Sequence, residues 1–194
     1  MSTLHDPPNQ PGTSFSRKIP DGDNMERDVC NTCGLIHYNN PKIVVGAVAT
    51  WGAKILLCRR AIEPRKGFWT LPAGFLELNE TAEDGARREA WEEAFAKLDI
   101  IQLLAHYSVP RISQVQLMYR AKLLSPDVKP GVESEDVMLA DWADIPWTEL
   151  AFPSVLWALK QFETIKDQDS FPPFTNPDGE LGDIEKFIAM TAKA

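Results

Sequence analysis

One stretch limits what this chain can become. It runs from Gly74 through Phe-Leu-Glu-Leu-Asn to Glu80, and on through Arg88, Glu89, Glu92 and Glu93 to Ala96. Thr81 followed three residues later by Asp84 is an N-terminal capping pattern, and Arg87 to Ala96 consists mostly of strong helix formers without Pro or Gly. The stretch therefore reads as a short loop leading into a helix. At about 100° per residue, Glu89, Glu92 and Glu93 fall at about 0°, 300° and 40°, within roughly one quadrant of the helix surface. Like charges at these spacings repel by a few tenths of a kcal/mol per pair, and they sit beyond the first turn, where the helix dipole would favour them. The cluster needs positive charge. Arg88 supplies part of it by reaching Glu92 at i,i+4, and a hard divalent cation with oxygen ligands would supply the rest. A solvated charged face is the alternative for an isolated helix of this kind.

The whole pattern decides between the two. Gly74, Glu80, Arg88, Glu89, Ala90, Glu92, Glu93 and Ala96 stand in the order and spacing of the Nudix box, which the stretch closely resembles. The box has a late Gly where this chain has Phe95. A Gly would allow a left-handed exit from the helix, whereas Phe makes that conformation costly, so the helix is expected to run on through Lys97 or to leave by another route.

The resemblance covers about residues 40 to 165 and implies a mixed-sheet α/β/α sandwich. The order of elements agrees with an α+β or α/β/α layered domain. Lys42 to Trp51 and Lys54 to Arg60 read as neighbouring strands or a hairpin, Ile100 to Val109 and Val115 to Leu124 as strands, and Val137 to Trp142 as a shorter one. Pro153 opens an amphipathic helix with Val155, Leu156, Leu159, Phe162 and Ile165 on one side. Three parts are expected: an N-terminal arm and half zinc-ribbon-like segment (1–38), a hydrolase domain (39–165), and a linker with a terminal helix (166–194) whose Ile184, Phe187, Ile188 and Met190 would dock on the body or on another subunit.

In the first part, residues 1 to about 24 read as an extended arm broken by Pro and Gly. Cys30-Asn-Thr-Cys33-Gly34 follows, a zinc-knuckle spacing that brings two thiolates onto one ion. With Ile36 to Gly46 it resembles the zinc-ribbon leader of some Nudix domains, but the positions of the leader's first cysteine pair fall on Pro8 and Pro11 before Gly12. Cys30 and Cys33 with a borrowed His5 or His37 would make an incomplete site, so no tightly bound structural zinc is expected. Cys58 lies in a strand and reads as a buried core thiol.

A net charge of −8 argues against a broad nucleic-acid or membrane surface, since such surfaces need clustered cations. No stretch approaches a membrane span or a signal peptide, and three cysteines make no disulfide framework, so a soluble cytoplasmic protein is expected. A homodimer is an expectation by analogy with ADP-ribose-cleaving relatives.

The resemblance further implies hydrolysis of a nucleoside diphosphate derivative by water, with Mg2+ or Mn2+ held by Glu89, Glu92, Glu93 and the Gly74 carbonyl, and with Glu80 and Arg88 in support. The general base is left open between the box glutamates and the loop acids Glu133 and Glu135. Arg60 and Arg65 are candidate phosphate contacts, with a solvated surface pair as the alternative. The signature of the NADH-cleaving subgroup is absent after the box. Pro110 resembles the ADP-ribose-cleaving subgroup, and the leader, the start at Pro41 to Gly46, Pro130-Gly131, Ile145-Pro146-Trp147 and Leu150 to Pro153 together resemble enzymes acting on ADP-ribose and FAD. The alternatives are an NADH diphosphatase and a non-catalytic Nudix-fold nucleotide sensor.

Overall fold

The computed structural model describes residues 14–191. Pro8, Pro11, Gly12 and His5, on which part of the leader argument rests, lie outside the described residues. The chain divides into two compact units, one ending at Pro41 and one beginning at Lys42.

In the first unit, β1 (Phe15–Lys18), β2 (Arg27–Cys30) and β3 (Ile36–His37) form a three-stranded antiparallel sheet in the order β1-β2-β3. β1 falls inside the expected extended arm, because pairing with β2 absorbs its backbone groups. The knuckle is closed by the Gly34 amide donating to the Cys30 carbonyl at 3.0 Å, with Gly34 at φ 76°, where glycine carries no steric penalty. The amides of Cys33 and Thr32 point at the Cys30 sulfur and pull its thiol below the ordinary range. Asn31 ties the knuckle to the start of β1, accepting from the Ser16 hydroxyl at 2.7 Å and donating to the Ser14 hydroxyl at 3.0 Å. Cys30 is buried and Cys33 exposed, and no third His, Cys, Asp or Glu joins them in a metal-holding group among the described residues. Two thiolates are half of a tetrahedral zinc set.

The second unit is built on β4 (Lys42–Trp51), β5 (Lys54–Arg60), β6 (Trp69–Thr70), β7 (Ala73–Phe75), α1 (Ala82–Ala94), β8 (Leu98–Val109), β9 (Gln114–Leu123), β10 (Ser134–Ala140), α2 (Pro153–Ile165) and α3 (Ile184–Thr191). The strands β10-β5-β4-β9-β8 lie side by side, with β4 parallel to β9 and the other pairs antiparallel, which makes the sheet mixed. β4 and β5 pair only beside their turn, at Thr50 with Ile55 and Trp51 with Lys54. Beyond that point β6 pairs with β5 and β7 with β4, so the segment leading to the box loop is inserted into the split between them. This split fixes the position of Gly74.

Strand alternation divides the core into two layers. Val45, Ala47, Ala49, Leu56 and Cys58 face α1, where Ala86, Ala90 and Ala94 recur every four residues and let the helix approach the sheet closely. Val48, Ile55 and Leu57 face the other way and pack on Val155, Leu159, Phe162 and Ile165 of α2. The result is the expected α/β/α sandwich.

Two expectations change. Helix α1 does not run through Lys97: it ends at Ala94, and Phe95 itself takes the left-handed conformation at φ 50°, its amide donating to the helix at 2.8 Å. The strain is offset by the ring, which lies edge-on to Trp91 at 5.3 Å and receives Lys129 Nζ at 4.4 Å. Residues 166–182 are not a free linker. Phe174 bridges to β8 beside Ala105, and Asn176 clamps Ser108 through bonds of 2.8 and 2.9 Å. In α3, Phe187 is buried in the core and Ile184 packs against it, while Ile188 and Met190 are exposed.

Candidate active site

The box loop and α1 are held together by one guanidinium. Thr81 caps the helix by accepting from the Asp84 amide at 3.1 Å, and Glu80 just before it accepts from the Glu77 amide at 2.7 Å. Arg88, on the second turn, donates from Nε and Nη2 to the two oxygens of Glu80 at 3.0 and 2.8 Å, and from Nη2 to the Phe75 carbonyl at 2.9 Å. These bonds staple loop to helix. The guanidinium beside Glu80, helped by the Glu77 amide, pulls that carboxyl down to about 2.

The remaining Nη1 of Arg88 donates to Glu89 at 2.7 Å and to Glu92 at 3.0 Å. The three helix carboxylates therefore do not converge as expected from helix angles alone. Among the described residues no three His, Cys, Asp or Glu form a group that could hold an ion, because Arg88 draws Glu92 outward while Glu93 stays in the interior. Glu92 has a side chain 54% exposed; Glu89 and Glu93 are only 8% and 5% exposed.

Glu93 is the anomaly of the site. Its Oε2 is buried with no hydrogen-bond partner among the described residues. Burial, reinforced by the charges of Glu89 and Glu133 and opposed by Arg60, pushes its carboxyl up to about 8. Burial also raises Glu89, against the pull of Arg88. Cys58 and Ser134 sit behind Glu93, and burial pushes the Cys58 thiol well up, as expected for an inert core thiol. A buried carboxylate without a partner is costly unless something neutralises it.

Gly74 shows what the space is for. The three atoms nearest to a Cβ added there all belong to the Glu89 carboxyl group, so this carboxylate rests against bare backbone at Gly74. An orphan carboxylate oxygen, a second buried carboxylate and an adjoining glycine backbone form an oxygen-only donor set, which fits a hard divalent cation such as Mg2+ or Mn2+.

Around these groups lies a cavity of about 1080 Å3. Glu133 lines it and lies close enough to raise both Glu89 and Glu93. It is placed by Gly131, whose amide donates to the Glu93 carbonyl at 2.9 Å where a side chain would collide with the end of α1. Glu135 goes elsewhere: the register of β10 slips between Ser134 and Asp136, and Glu135 faces Lys66 at 3.7 Å. Arg60 borders the cavity with its guanidinium 5.2 Å from the Phe152 ring and Nε on the Pro64 carbonyl at 2.8 Å. Arg65 also borders it, but it stacks on Phe68 at 3.4 Å and donates to the Ala151 and Leu150 carbonyls at 3.2 and 3.4 Å. Its guanidinium is largely committed to holding that wall.

Sequence reasoning missed the cavity floor. Gln114, Gln116 and Met118 occupy alternate positions of β9 and all line the cavity, with Arg111 just before them. Polar residues at alternate positions of an otherwise apolar strand were the available signal.

Comparison with known proteins places this arrangement. The sequence model of the NUDIX domain matches residues 40–165, and that of the Nudix N-terminal segment matches residues 9–39. The chain belongs to the NUDIX domain family. It is a Nudix pyrophosphohydrolase by type, with every acidic position of the box in place. A Nudix hydrolase structure from Nitrosomonas europaea is 46% identical, covering 86% of this chain and 96% of its own, with a TM-score of 0.80. An ADP-ribose pyrophosphatase of Methanocaldococcus jannaschii is 30% identical over 59% of this chain and 69% of its own length. A NAD-capped RNA hydrolase of Chromobacterium violaceum is 28% identical over 60% of this chain, which spans only 43% of that protein. Among the described residues no helix is long and apolar enough to cross a membrane.

Proposed function

We propose that this Nudix protein is a divalent-metal-dependent hydrolase of the diphosphate bridge in a nucleoside diphosphate derivative, ADP-ribose or FAD, and that it releases AMP. The observation that carries this reading is the buried, unpartnered Glu93 oxygen beside Glu89 and Gly74, at the wall of a cavity large enough for a nucleotide derivative. Glu89, Glu93 and the Gly74 carbonyl would hold Mg2+ or Mn2+, joined by Glu92 once it turns inward from Arg88. Such ions, when bound, neutralise diphosphate charge and acidify water.

The chain's own residues do the rest. Arg88 positions Glu89 and Glu92 and keeps the box loop on the helix. Arg60 faces the cavity where a phosphate oxygen would need a cation. Glu133, beside Glu89 and Glu93, is the better-placed of the two loop acids to take the proton from the attacking water, since Glu135 points to Lys66. A mouse relative named NAD(P)H pyrophosphatase, 30% identical over 63% of this chain and 33% of its own length, supports NADH as a second substrate reading.

Product analysis tests the proposal. Incubation with Mn2+ or Mg2+ is expected to convert ADP-ribose to AMP and ribose 5-phosphate, and FAD to AMP and FMN. Products cut outside the diphosphate bridge would refute it.

A further inference from the structure

Residues 166–191 lie beyond the segment matched by the NUDIX domain, yet they close one end of the cavity. Their path is fixed. The Phe174 amide and carbonyl bond to β8 at 2.9 and 3.0 Å, Asn176 holds Ser108 and the Glu180 carbonyl, and Gln161 joins Tyr107 to the Thr175 carbonyl. Gly182, at φ 79°, lies so close to Val109 that a Cβ would approach its side chain to 2.9 Å. Asp183 then caps α3, accepting from the Glu185 and Lys186 amides at 2.9 and 3.1 Å. Gly182 and Ile184 thereby become cavity wall, together with Val109 and Ile112.

The floor at this end carries two amides. Gln116 Nε2 donates to Gln114 Oε1 at 3.3 Å, which leaves one amide donor and one amide acceptor without a partner among the described residues. Reversing both amides leaves the same pair of functions. In the register of the sheet Gln116 lies beside Val44, and Val44 lies beside Phe75, the residue after Gly74. Gln116 is thus two strand spacings, about 10 Å, from the box strand. That span suits a group at the far end of a substrate whose diphosphate lies at Gly74 and Glu89.

We propose that Gln114, Gln116 and Ile184 form a site for a second planar heterocycle, one with an adjacent N–H donor and C=O acceptor, and that the C-terminal segment thereby selects two-base substrates over ADP-ribose. An apolar wall takes the ring face and the amide pair reads its edge. The imide of a flavin and the carboxamide of a nicotinamide both carry the complementary functions; the terminal ribose of ADP-ribose offers no ring face. This rests on the diphosphate assignment above for the position of the substrate's other half.

The test is equilibrium binding of FAD and NADH, followed by their own fluorescence with Ca2+ in place of the active metal, and competition by ADP-ribose. The wild type is expected to bind FAD or NADH at least tenfold more tightly than ADP-ribose, the stronger arm identifying the heterocycle. Gln116→Leu and Ile184→Ala are each expected to reduce that margin about tenfold, as loss of a hydrogen bond or of apolar contact would. Equal affinity for all three ligands in the wild type, or equal weakening of all three in both variants, would overturn the proposal. Selective binding without AMP release under Mg2+ would leave this site standing and overturn the hydrolase reading instead.

Discussion

Gly74→Ala separates the chemistry of the site from its stability. The added Cβ would overlap the Glu89 carboxyl group, which supplies its three nearest atoms. That carboxyl is the far end of a flexible side chain, so it can retreat by roughly 1 Å to restore van der Waals separation. Its 2.7 Å bond to Arg88 resists the retreat only weakly against a covalent Cβ. The expected stability loss is therefore about 1 kcal/mol, a fall in Tm of about 2–4 °C for a chain of this size. Turnover is far more sensitive, because a 1 Å displacement of a positioned group costs about 100-fold. Gly46→Ala is the control: its Cβ would meet the Ala73 Cβ and the Pro72 carbonyl, and neither can swing away. It should cost about 3 kcal/mol through overpacking. Thermal melts and initial rates at saturating Mg2+ measure both. Gly74→Ala with turnover within threefold of wild type would refute the idea that Glu89 must rest against a bare backbone.

Other outcomes follow from the same geometry. Glu93→Gln should lower turnover by on the order of 10²–10⁴ without unfolding the protein, checked by initial rates and circular dichroism. In the metal-free protein burial pushes the Glu93 carboxyl up to about 8 from its ordinary value of 4.5, so the folded state holds the proton more tightly. The stability gained from that proton is complete below about 4.5 and is lost as pH rises towards about 8; melts of metal-free protein across this window check the sign, and Glu93→Gln should flatten them. Mg2+ binding at pH 7 should accordingly release protons, measurable by calorimetry in buffers of different ionisation enthalpy. Phe95→Gly removes about 1 kcal/mol of left-handed strain but also the Trp91 contact of similar size, so melting should shift by only a few degrees and turnover by less than threefold.

Much of the architecture was legible because periodicity and spacing are local. The strands Lys42–Trp51 and Lys54–Arg60 coincide with their sequence reading, and Thr81 caps the helix it was expected to cap. Helix angles put Glu89, Glu92 and Glu93 on one side, but they say nothing of burial; only the fold shows that Glu93 is enclosed while Glu92 is drawn out by Arg88. Phe95 misled because a left-handed cost was weighed without the tertiary contacts to Trp91 and Lys129 that offset it. Glu133 and Glu135 were indistinguishable in sequence, and a β-bulge separates them. The C-terminal segment looked like a linker since its Pro- and Asp-rich composition lacks periodicity, whereas its anchors are single residues, Phe174 and Asn176, meeting partners about 70 positions away.

The central claim is that oxygen ligands around Glu93 make diphosphate cleavage depend on a divalent cation. The most direct measurement is AMP release from ADP-ribose and FAD as Mg2+ or Mn2+ is titrated into metal-stripped protein. The account predicts no release without metal and a saturable rise with either ion. Release that persists undiminished in excess chelator would contradict it, as would none at any metal concentration.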